Sequence, residues 1–165
     1  MTRVAASALV SAALAALVSP FARGAPATLC NADETAYFSC AMAGGKQLAV
    51  CGALPERLQY RFGRPNAVEL AYPADANDGP HDLQIARYHR YRTERLTLRF
   101  EREGVSYAVF DEQEDGRRRG GVRVRTPDGR ERDLVCAGPA ASRLGELVGI
   151  VSCDRESALN GGRCP

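Results

Sequence analysis

Hydrophobic residues occupy every second position over much of the chain, and turn residues divide this alternation into short segments. A period of two predicts β-strands with one buried face, and breaks that contain Gly or Pro predict hairpins. The clearest hairpin joins residues 57–62 to residues 67–72. Its apolar positions on one face are Leu58, Tyr60, Phe62, Val68, Leu70 and Tyr72. Arg61 and Glu69 share the other face, where we expect a cross-strand charge pair.

Similar alternation recurs along the rest of the chain. Residues 35–41 and 47–52 flank Gly44-Gly45-Lys46, a turn of the kind that hairpins favour. Further alternating segments are 83–91, 96–100 with 105–109, and 122–124 with 134. Because each strand has one apolar face, the pattern predicts a mainly β fold, an antiparallel small barrel or sandwich of about eight strands.

One segment near the C-terminus departs from period two. Residues 142–151 place Leu144, Leu147, Val148 and Val151 at helical spacing. This spacing predicts one C-terminal amphipathic helix that packs on the sheet. Gly145 and Gly149 lie within it and lower its helix propensity.

An N-terminal leader precedes all of the cysteines. Residues 1–27 combine one early basic residue, Arg3, with an apolar run of about fifteen residues and small residues suited to cleavage. The run is short for a membrane span, which needs roughly twenty residues. We therefore predict a cleaved signal peptide over 1–27, no integral membrane span, and a single β-rich disulfide domain over 28–165.

The chain contains six cysteines, which the leader would carry into an oxidising compartment, periplasmic or secreted. They are Cys30, Cys40, Cys51, Cys136, Cys153 and Cys164. An even number predicts three disulfides, with fifteen possible pairings. A two-residue turn centred between Gly45 and Lys46 would place Cys40 opposite Cys51, close enough to bridge. Cys153 and Cys164 are expected to hold down a polar C-terminal tail.

Charge excludes one class of partner. Without the leader, which holds Arg3 and Arg23, the chain has equal numbers of acidic and basic residues. Binding to nucleic acid through bulk charge is therefore not expected. Lys46 is the only lysine, and every other basic residue is arginine. This bias is compatible with carboxylate or phosphate recognition, but genome composition is the favoured explanation.

Candidate catalytic chemistry is sparse. The two histidines are His81, in a loop beside Asp82, and His89, at or near the end of the apolar Leu83–Ile85 face. Neither lies in a spacing typical of a zinc site, and no strand–turn–helix nucleophile elbow is present. Residues 111–116 resemble the start of a calcium loop, but the twelfth position is Val122 instead of a bidentate carboxylate. We predict no catalytic residue, no metal site and no cofactor.

The candidate binding surface consists of Tyr88, Arg90, Arg92 and Lys46. Residues 88–92 interleave aromatic and basic side chains, which can hold a glycan, an anionic polymer or a protein carboxylate. Alternatively, the arginine stems simply cover the outer face of a sheet. Residues 111–121 are predicted to form a solvated hairpin tip, or a loop that docks a partner.

Several short motifs resemble a family. These are Phe38-Ser39-Cys40, Gly45-Lys46 with Cys51, Tyr60-Arg61-Phe62-Gly63, and Cys153-Asp154 with Ser157-Ala158-Leu159 and Cys164. Together they resemble an uncharacterised family of small exported proteins of Gram-negative bacteria. The resemblance implies compartment and architecture but no mechanism. The chain is also distantly similar, in size, compartment and fold class, to the periplasmic inhibitors of c-type lysozyme.

These features predict an exported binding or accessory protein of the cell envelope, with inhibition of a lysozyme-type hydrolase as its most specific form. The expected partner is a protein or a glycan, and the chain is expected to be monomeric. The alternative is a periplasmic hydrolase with a site built around His81 or His89. That hypothesis requires a histidine beside a serine or a carboxylate at hydrogen-bonding distance.

Overall fold

The computed structural model of the protein describes residues 28–161 and 163–164. The predicted leader, residues 1–27, lies outside the described residues. The strands are β1 (Thr35–Ala41), β2 (Gln47–Ala53), β3 (Arg57–Arg64), β4 (Ala67–Tyr72), β5 (Gln84–Arg90), β6 (Thr93–Arg102), β7 (Val105–Glu114), β8 (Arg117–Arg125), β9 (Glu131–Val135), β10 (Ala141–Ser142) and β11 (Ser152–Cys153). Within the described residues, helical structure is limited to α1 (Gly79–Asp82) and to 3-10 turns at Ala43–Gly45, Ala76–Asp78, Leu144–Leu147 and Ala158–Asn160.

The strands form two sheets. The five-stranded sheet has the order β10-β1-β2-β3-β4, and the six-stranded sheet has the order β11-β5-β6-β7-β8-β9. Paired strands are antiparallel except for β11, which runs parallel to β5. The predicted mainly β class is confirmed as a sandwich-like arrangement, and the two sheets do not close into one barrel.

The core lies between the two sheets. Leu48 and Leu58 of the five-stranded sheet are fully buried, as are Leu98 and Val109 of the six-stranded sheet. Their alternation along each strand is the one that the sequence predicts. Burial of a side chain of this size stabilises the fold by roughly 1.5–3 kcal/mol, so the apolar faces hold the sheets together.

An aromatic cluster lies within this core. The ring of Phe100 stacks on Tyr72 and on Tyr107, with centroids 4.3 and 4.9 Å away, and lies 4.9 Å from Tyr60. Burial raises the pKa of Tyr60 well above its ordinary value, so its phenol stays neutral. The cluster joins β3 and β4 of one sheet to β6 and β7 of the other.

The predicted C-terminal helix over residues 142–151 is wrong. Only Leu144–Leu147 forms a helical turn, of the 3-10 type, and Ser142 belongs to β10. Leu144 and Leu147 are both fully buried, because a 3-10 turn also brings positions three apart to one side. Gly149, with φ of +86°, then turns the chain so that Val151 forms a bridge with Val148.

The predicted Cys40–Cys51 bridge is also wrong. The β1–β2 connection is a 3-10 turn closed by a bond from the Met42 N–H to the Lys46 carbonyl. This longer connection places Cys40 opposite Leu48, facing the core, and leaves Cys51 opposite Ala36. Because side chains alternate along a strand, Cys51 and Leu48 project from opposite faces of the sheet. Cys51 therefore lies on the opposite face from Cys40.

The actual disulfides use all six cysteines. They are Cys30–Cys51, Cys40–Cys136 and Cys153–Cys164. The first ties the N-terminal segment to β2, the second joins β1 to the segment after β9, and the third closes the C-terminal tail as predicted. Disulfides of this number are typical of an oxidising, extracytoplasmic compartment.

Arg61 and Glu69 do not form the predicted charge pair. A bulge at Phe62 and Gly63 changes the β3–β4 register, so that Arg61 lies opposite Ala71. Arg61 instead binds both carboxylate oxygens of Glu34, at 2.6 and 2.8 Å, and donates to the Leu29 carbonyl. The N-terminal segment therefore covers the outer face of the five-stranded sheet.

Within residues 111–121, the turn of the predicted hairpin tip is confined to two residues. Asp111–Glu114 continue β7, and β8 begins at Arg117, so only Asp115 and Gly116 form the turn. The side chain of Asp111 is buried, and both of its oxygens accept bonds from Arg118, at 2.8 and 2.6 Å. Burial alone would raise the pKa of Asp111, but the Arg118 hydrogen bonds outweigh it and lower that pKa.

Candidate functional site

Two hairpin turns meet at one end of the six-stranded sheet. The β5–β6 turn contains Tyr91 and Arg92, and the β7–β8 turn contains Asp115 and Gly116. The Asp115 N–H donates to the Arg92 carbonyl at 3.0 Å, and the Arg92 Nε lies 3.3 Å from the Asp115 carboxylate. These contacts hold the two turns as one unit, which we call the twin-hairpin tip (residues 88–92 and 114–117).

The sheet continues past the core at this end. His89, Gln113 and Arg118 occupy the face that elsewhere packs on the core, and all three are exposed. Tyr88 and Arg90, on the opposite face, are exposed as well. The twin-hairpin tip is therefore accessible from both faces and from its end.

Tyr91 is the most exposed large hydrophobic side chain among the described residues, with 88% of its surface accessible. Tyr88 is 36% exposed, and the Arg90 guanidinium lies 6.0 Å from its ring centroid. Exposed tyrosines beside arginines are typical of protein interfaces, since their rings contribute large contact area at low conformational cost.

One acidic residue orients the arginines of the tip. The Glu114 carboxylate lies 3.4 Å from Arg90 and 3.0 Å from Arg95. Exposed pairs of this kind contribute at most about 1 kcal/mol to stability. Their effect is therefore chiefly geometric, because they keep the guanidinium groups beside Tyr88.

Three of the four predicted surface residues, Tyr88, Arg90 and Arg92, lie together at the tip. Lys46 lies on the other sheet, at the end of the β1–β2 connection. Its ammonium group pairs with Glu69 and lies 5.2 Å from the Phe62 ring centroid. Lys46 therefore belongs to a different part of the surface from the arginine-rich strand.

A groove of about 350 Å³ lies on the outer face of the same sheet. We call it the arginine groove. Its floor consists of Thr97 and Ala108 at the centre of the sheet, flanked by arginines of β6 and β8. The complete lining is Arg95, Thr97, Arg99, Ala108, Glu112, Arg123, Arg125, Asp154, Glu156, Ser157, Ala158 and Leu159.

One wall of the groove is the C-terminal segment, which Arg99 holds in place. Arg99 binds both oxygens of the nearly fully buried Asp154, at 2.9 and 3.1 Å, and also Glu156 at 3.1 Å. Burial opposes the charge on Arg99, but these carboxylates outweigh burial and raise its pKa. Asn160 reinforces the segment, since it accepts a bond from the Arg87 N–H and donates to the Asp154 carbonyl.

Phe110 shapes the other side of the groove. Its ring is fully buried although it projects from the outer face, because Arg119 and Arg123 lie over it at 5.0 and 5.4 Å from its centroid. Gly121 makes room for the ring, since a β-carbon there would lie 2.9 Å from the ring and 2.3 Å from the Leu134 carbonyl oxygen. The ring therefore lies toward β8 and leaves Thr97 and Ala108 uncovered.

The amino-acid sequence alone does not indicate this groove. Its lining comes from three strands and the C-terminal segment, and each contributes polar or small residues that are ordinary on an exposed face. The one usable signal was the alternation Arg95–Thr97–Arg99, which places two arginines on the outward face of β6.

Both histidines are exposed. His81 lies in α1 instead of the predicted loop. His89 lies on the same side of β5 as Ile85, but past the buried part of that face. Glu94 is directly opposite His89 in the sheet, but its carboxylate accepts two bonds from Arg87. Within the described residues, neither imidazole forms a hydrogen bond or an ion pair. The geometry that a histidine-based hydrolase requires is not found there.

Over residues 28–161 and 163–164, no three metal-binding side chains cluster closely enough to hold an ion. No helix in this part of the chain has the length and apolar character needed to cross a membrane.

Comparison of the chain with protein-family models, with curated proteins and with solved structures finds no match. The resemblance to small exported proteins of Gram-negative bacteria therefore stays a prediction, as does the likeness to lysozyme inhibitors.

Proposed function

We propose that this chain is a binding protein of the cell envelope, periplasmic or secreted, which docks to a macromolecular partner through the twin-hairpin tip. One observation carries the proposal: Tyr91 is 88% exposed on a turn that is held to its neighbour by a backbone hydrogen bond. Exposed tyrosines beside arginines, as Tyr91, Tyr88 and Arg90 are here, give the tip a composition typical of protein-binding surfaces.

The order of the tip favours binding. Paired turns lose little conformational freedom on contact, so less of the interaction energy is spent on ordering them. Arg90 and Arg92 flank the aromatic rings and can donate bidentate hydrogen bonds to carboxylates of the partner. The tip thus combines an aromatic anchor with arginines that favour a partner whose binding surface has acidic residues at its edge.

The shape of the tip indicates what kind of surface it fits. A narrow end of a sheet, exposed on both faces, is complementary to a concave surface. A hydrolase whose cleft contains acidic catalytic residues has that shape and that charge, and in glycoside hydrolases a pair of carboxylates flanks the bond to be cleaved. We therefore retain inhibition of a lysozyme-type hydrolase as the most specific form of the proposal.

The first test uses the full chain, exported and oxidised, against a panel of lysozymes acting on bacterial cell walls. We expect one lysozyme to be inhibited near one-to-one stoichiometry, and Tyr91→Ala to weaken that inhibition about 30-fold, or about 2 kcal/mol, as for an interface anchor. Ile150→Ala and Arg102→Ala are the matched controls, since Ile150 is also exposed and Arg102 lies at the opposite end of the sheet.

Two results separate the specific from the general proposal. Full lytic activity with every lysozyme would exclude the inhibitor, and crosslinking from position 91 in intact cells would then test for another envelope partner. If a partner binds Tyr91→Ala and the native protein equally well, the tip is not the docking surface. Hydrolysis of cell walls by the protein itself would instead favour the enzyme hypothesis.

A further inference from the structure

The arginine groove has a volume and a residue composition that suit a small ligand. No residue of the twin-hairpin tip lines it. Its volume of about 350 Å³ falls within the range of small-molecule sites. The floor and one wall supply small or apolar groups from Ala108, Ala158 and Leu159. The charged part of the lining consists of four arginines and three carboxylates.

The charges inside the groove are not balanced. Asp154 and Glu156 are both bound to Arg99, so these two carboxylates are already paired. Arg95 pairs with Glu114, which belongs to the twin-hairpin tip and lies outside the groove lining.

The β8 side of the groove shows the same imbalance. Arg123 binds Asp133 and Glu131 of β9, also outside the groove, and Arg125 has no ion-pair partner among the described residues. The remaining lining carboxylate, Glu112, is shared between Arg123 at 3.7 Å and Arg119, outside the groove, at 3.6 Å. An anion in the groove would therefore meet donors of Arg95, Arg123 and Arg125.

The chemistry of these donors specifies the ligand. A guanidinium group matches a carboxylate by two parallel hydrogen bonds, and arginines pinned by neighbouring carboxylates offer their remaining N–H groups in fixed positions. The Thr97 hydroxyl and the Ala108 methyl group between them suit a compact, partly polar body. We propose that the groove binds a short ligand with free carboxylates, whose body lies on Thr97 and Ala108 and whose carboxylate is bound by Arg123 and Arg125.

Two sources of such a ligand share this chemistry, an acidic oligosaccharide and an acidic peptide. The probes are trigalacturonate and N-acetylated triglutamate, with the methyl ester of the first and triglutamine as uncharged counterparts. Binding is measured by calorimetry and by amide shift changes at Thr97 and Ala108 in the oxidised full-length mature chain. We expect one acidic probe to bind, its uncharged counterpart to fail, and the identity of the probe to distinguish the two sources.

Two variants test the site itself. Arg125→Ala is expected to weaken the bound probe about tenfold, the effect of one charge-assisted contact. Ala108→Phe fills the floor from the exposed face of the sheet and is expected to abolish binding, while its thermal midpoint shows that it folds. Arg132→Ala is the matched control, because Arg132 is an exposed arginine on a different part of the surface.

Three results would overturn the proposal. The first is that neither acidic probe binds at concentrations up to about 10 mM, which would detect even a very weak site. The second is that the uncharged counterparts bind as well as the acidic probes. The third is that Arg132→Ala weakens binding as much as Arg125→Ala does. Tyr91→Ala is expected to leave probe binding unchanged, so the groove and the tip succeed or fail separately.

Discussion

Replacement of Cys40 and Cys136 together by alanine is expected to lower the free energy of unfolding by about 4.7 kcal/mol, by the loop-length model of disulfide stabilisation. The bond joins residues separated by 96 positions, so its loss releases the longest closed loop in the unfolded chain. It also connects β1 of the five-stranded sheet to the segment after β9 of the six-stranded sheet. We therefore expect this bond to contribute most to keeping the two sheets together.

The measurement is urea unfolding followed by circular dichroism. The matched control is Cys153→Ala with Cys164→Ala, whose separation of 11 predicts a loss of only about 2.8 kcal/mol in the same model. That bond closes a tail, so its removal can be absorbed by local opening of the C-terminal segment. If the Cys40 and Cys136 variant is as stable as this control, the cross-sheet bond does not have the role that we assign to it.

Glu34→Gln is expected to lower the free energy of unfolding by about 3 kcal/mol, because it leaves the Arg61 charge without its carboxylate. The two side chains are 2% and 10% exposed, and two hydrogen bonds of 2.6 and 2.8 Å join them. Glu34 also accepts a bond from the Asn31 N–H. The variant therefore affects both the buried charge and the attachment of the N-terminal segment.

This pair also predicts a pH dependence. Burial alone would raise the pKa of Glu34, but hydrogen bonds from Arg61 and from the Asn31 N–H outweigh it and lower that pKa below 4.5. The unfolded chain therefore binds the proton more readily than the folded one. The stabilisation is fully present above the unfolded pKa and is lost as pH falls through the lower, folded value.

The stability difference between native protein and Glu34→Gln should accordingly be constant near neutral pH and shrink below about pH 4.5. Other carboxylates, including Asp111 and Asp133, also have lowered pKa values, so only this difference isolates Glu34. Glu69→Gln is the matched control, since Glu69 is exposed and its partner Lys46 is half-buried, so that the pair contributes at most about 1 kcal/mol. A Glu34→Gln loss as small as that of the control would show that the buried pair is unimportant.

The strands were predictable because period-two alternation requires only neighbouring residues. Leu96, Leu98 and Phe100 must face the same side of any strand that contains them, and a strand with one apolar face must pack against another. The hairpin with Val105, Tyr107 and Val109 then follows from the short turn between the two segments. The structure confirms these elements with longer boundaries.

Register was less predictable, because it depends on turn geometry. Because of the 3-10 turn before Lys46, Cys40 pairs with Leu48 instead of Cys51. Because of the bulge at Gly63, Arg61 lies opposite Ala71 instead of pairing with Glu69. A change of one position reverses the face on which a side chain projects. The geometry of one turn and one bulge therefore determined which disulfide and which charge pair form.

The candidate sites divide in the same way. Tyr88, Arg90 and Arg92 belong to one strand and its turn, so their alternation of aromatic and basic residues was visible in the chain itself. The arginine groove requires β6, β7, β8 and the C-terminal segment to meet, and nothing local marks Ala108 or Arg125 as part of it.

Strand positions, the number of cysteines and the aromatic-basic segment are thus properties of short stretches of the chain, set by periodicity and composition. Other features join residues that are distant in the chain. Cys40 and Cys136 are 96 positions apart, Glu34 and Arg61 are 27 apart, and the residues that line the groove are up to 64 apart. Such contacts are selected by turn lengths, by bulges and by the packing of one sheet on the other. These depend on the whole folded chain, and local periodicity carries no information about them.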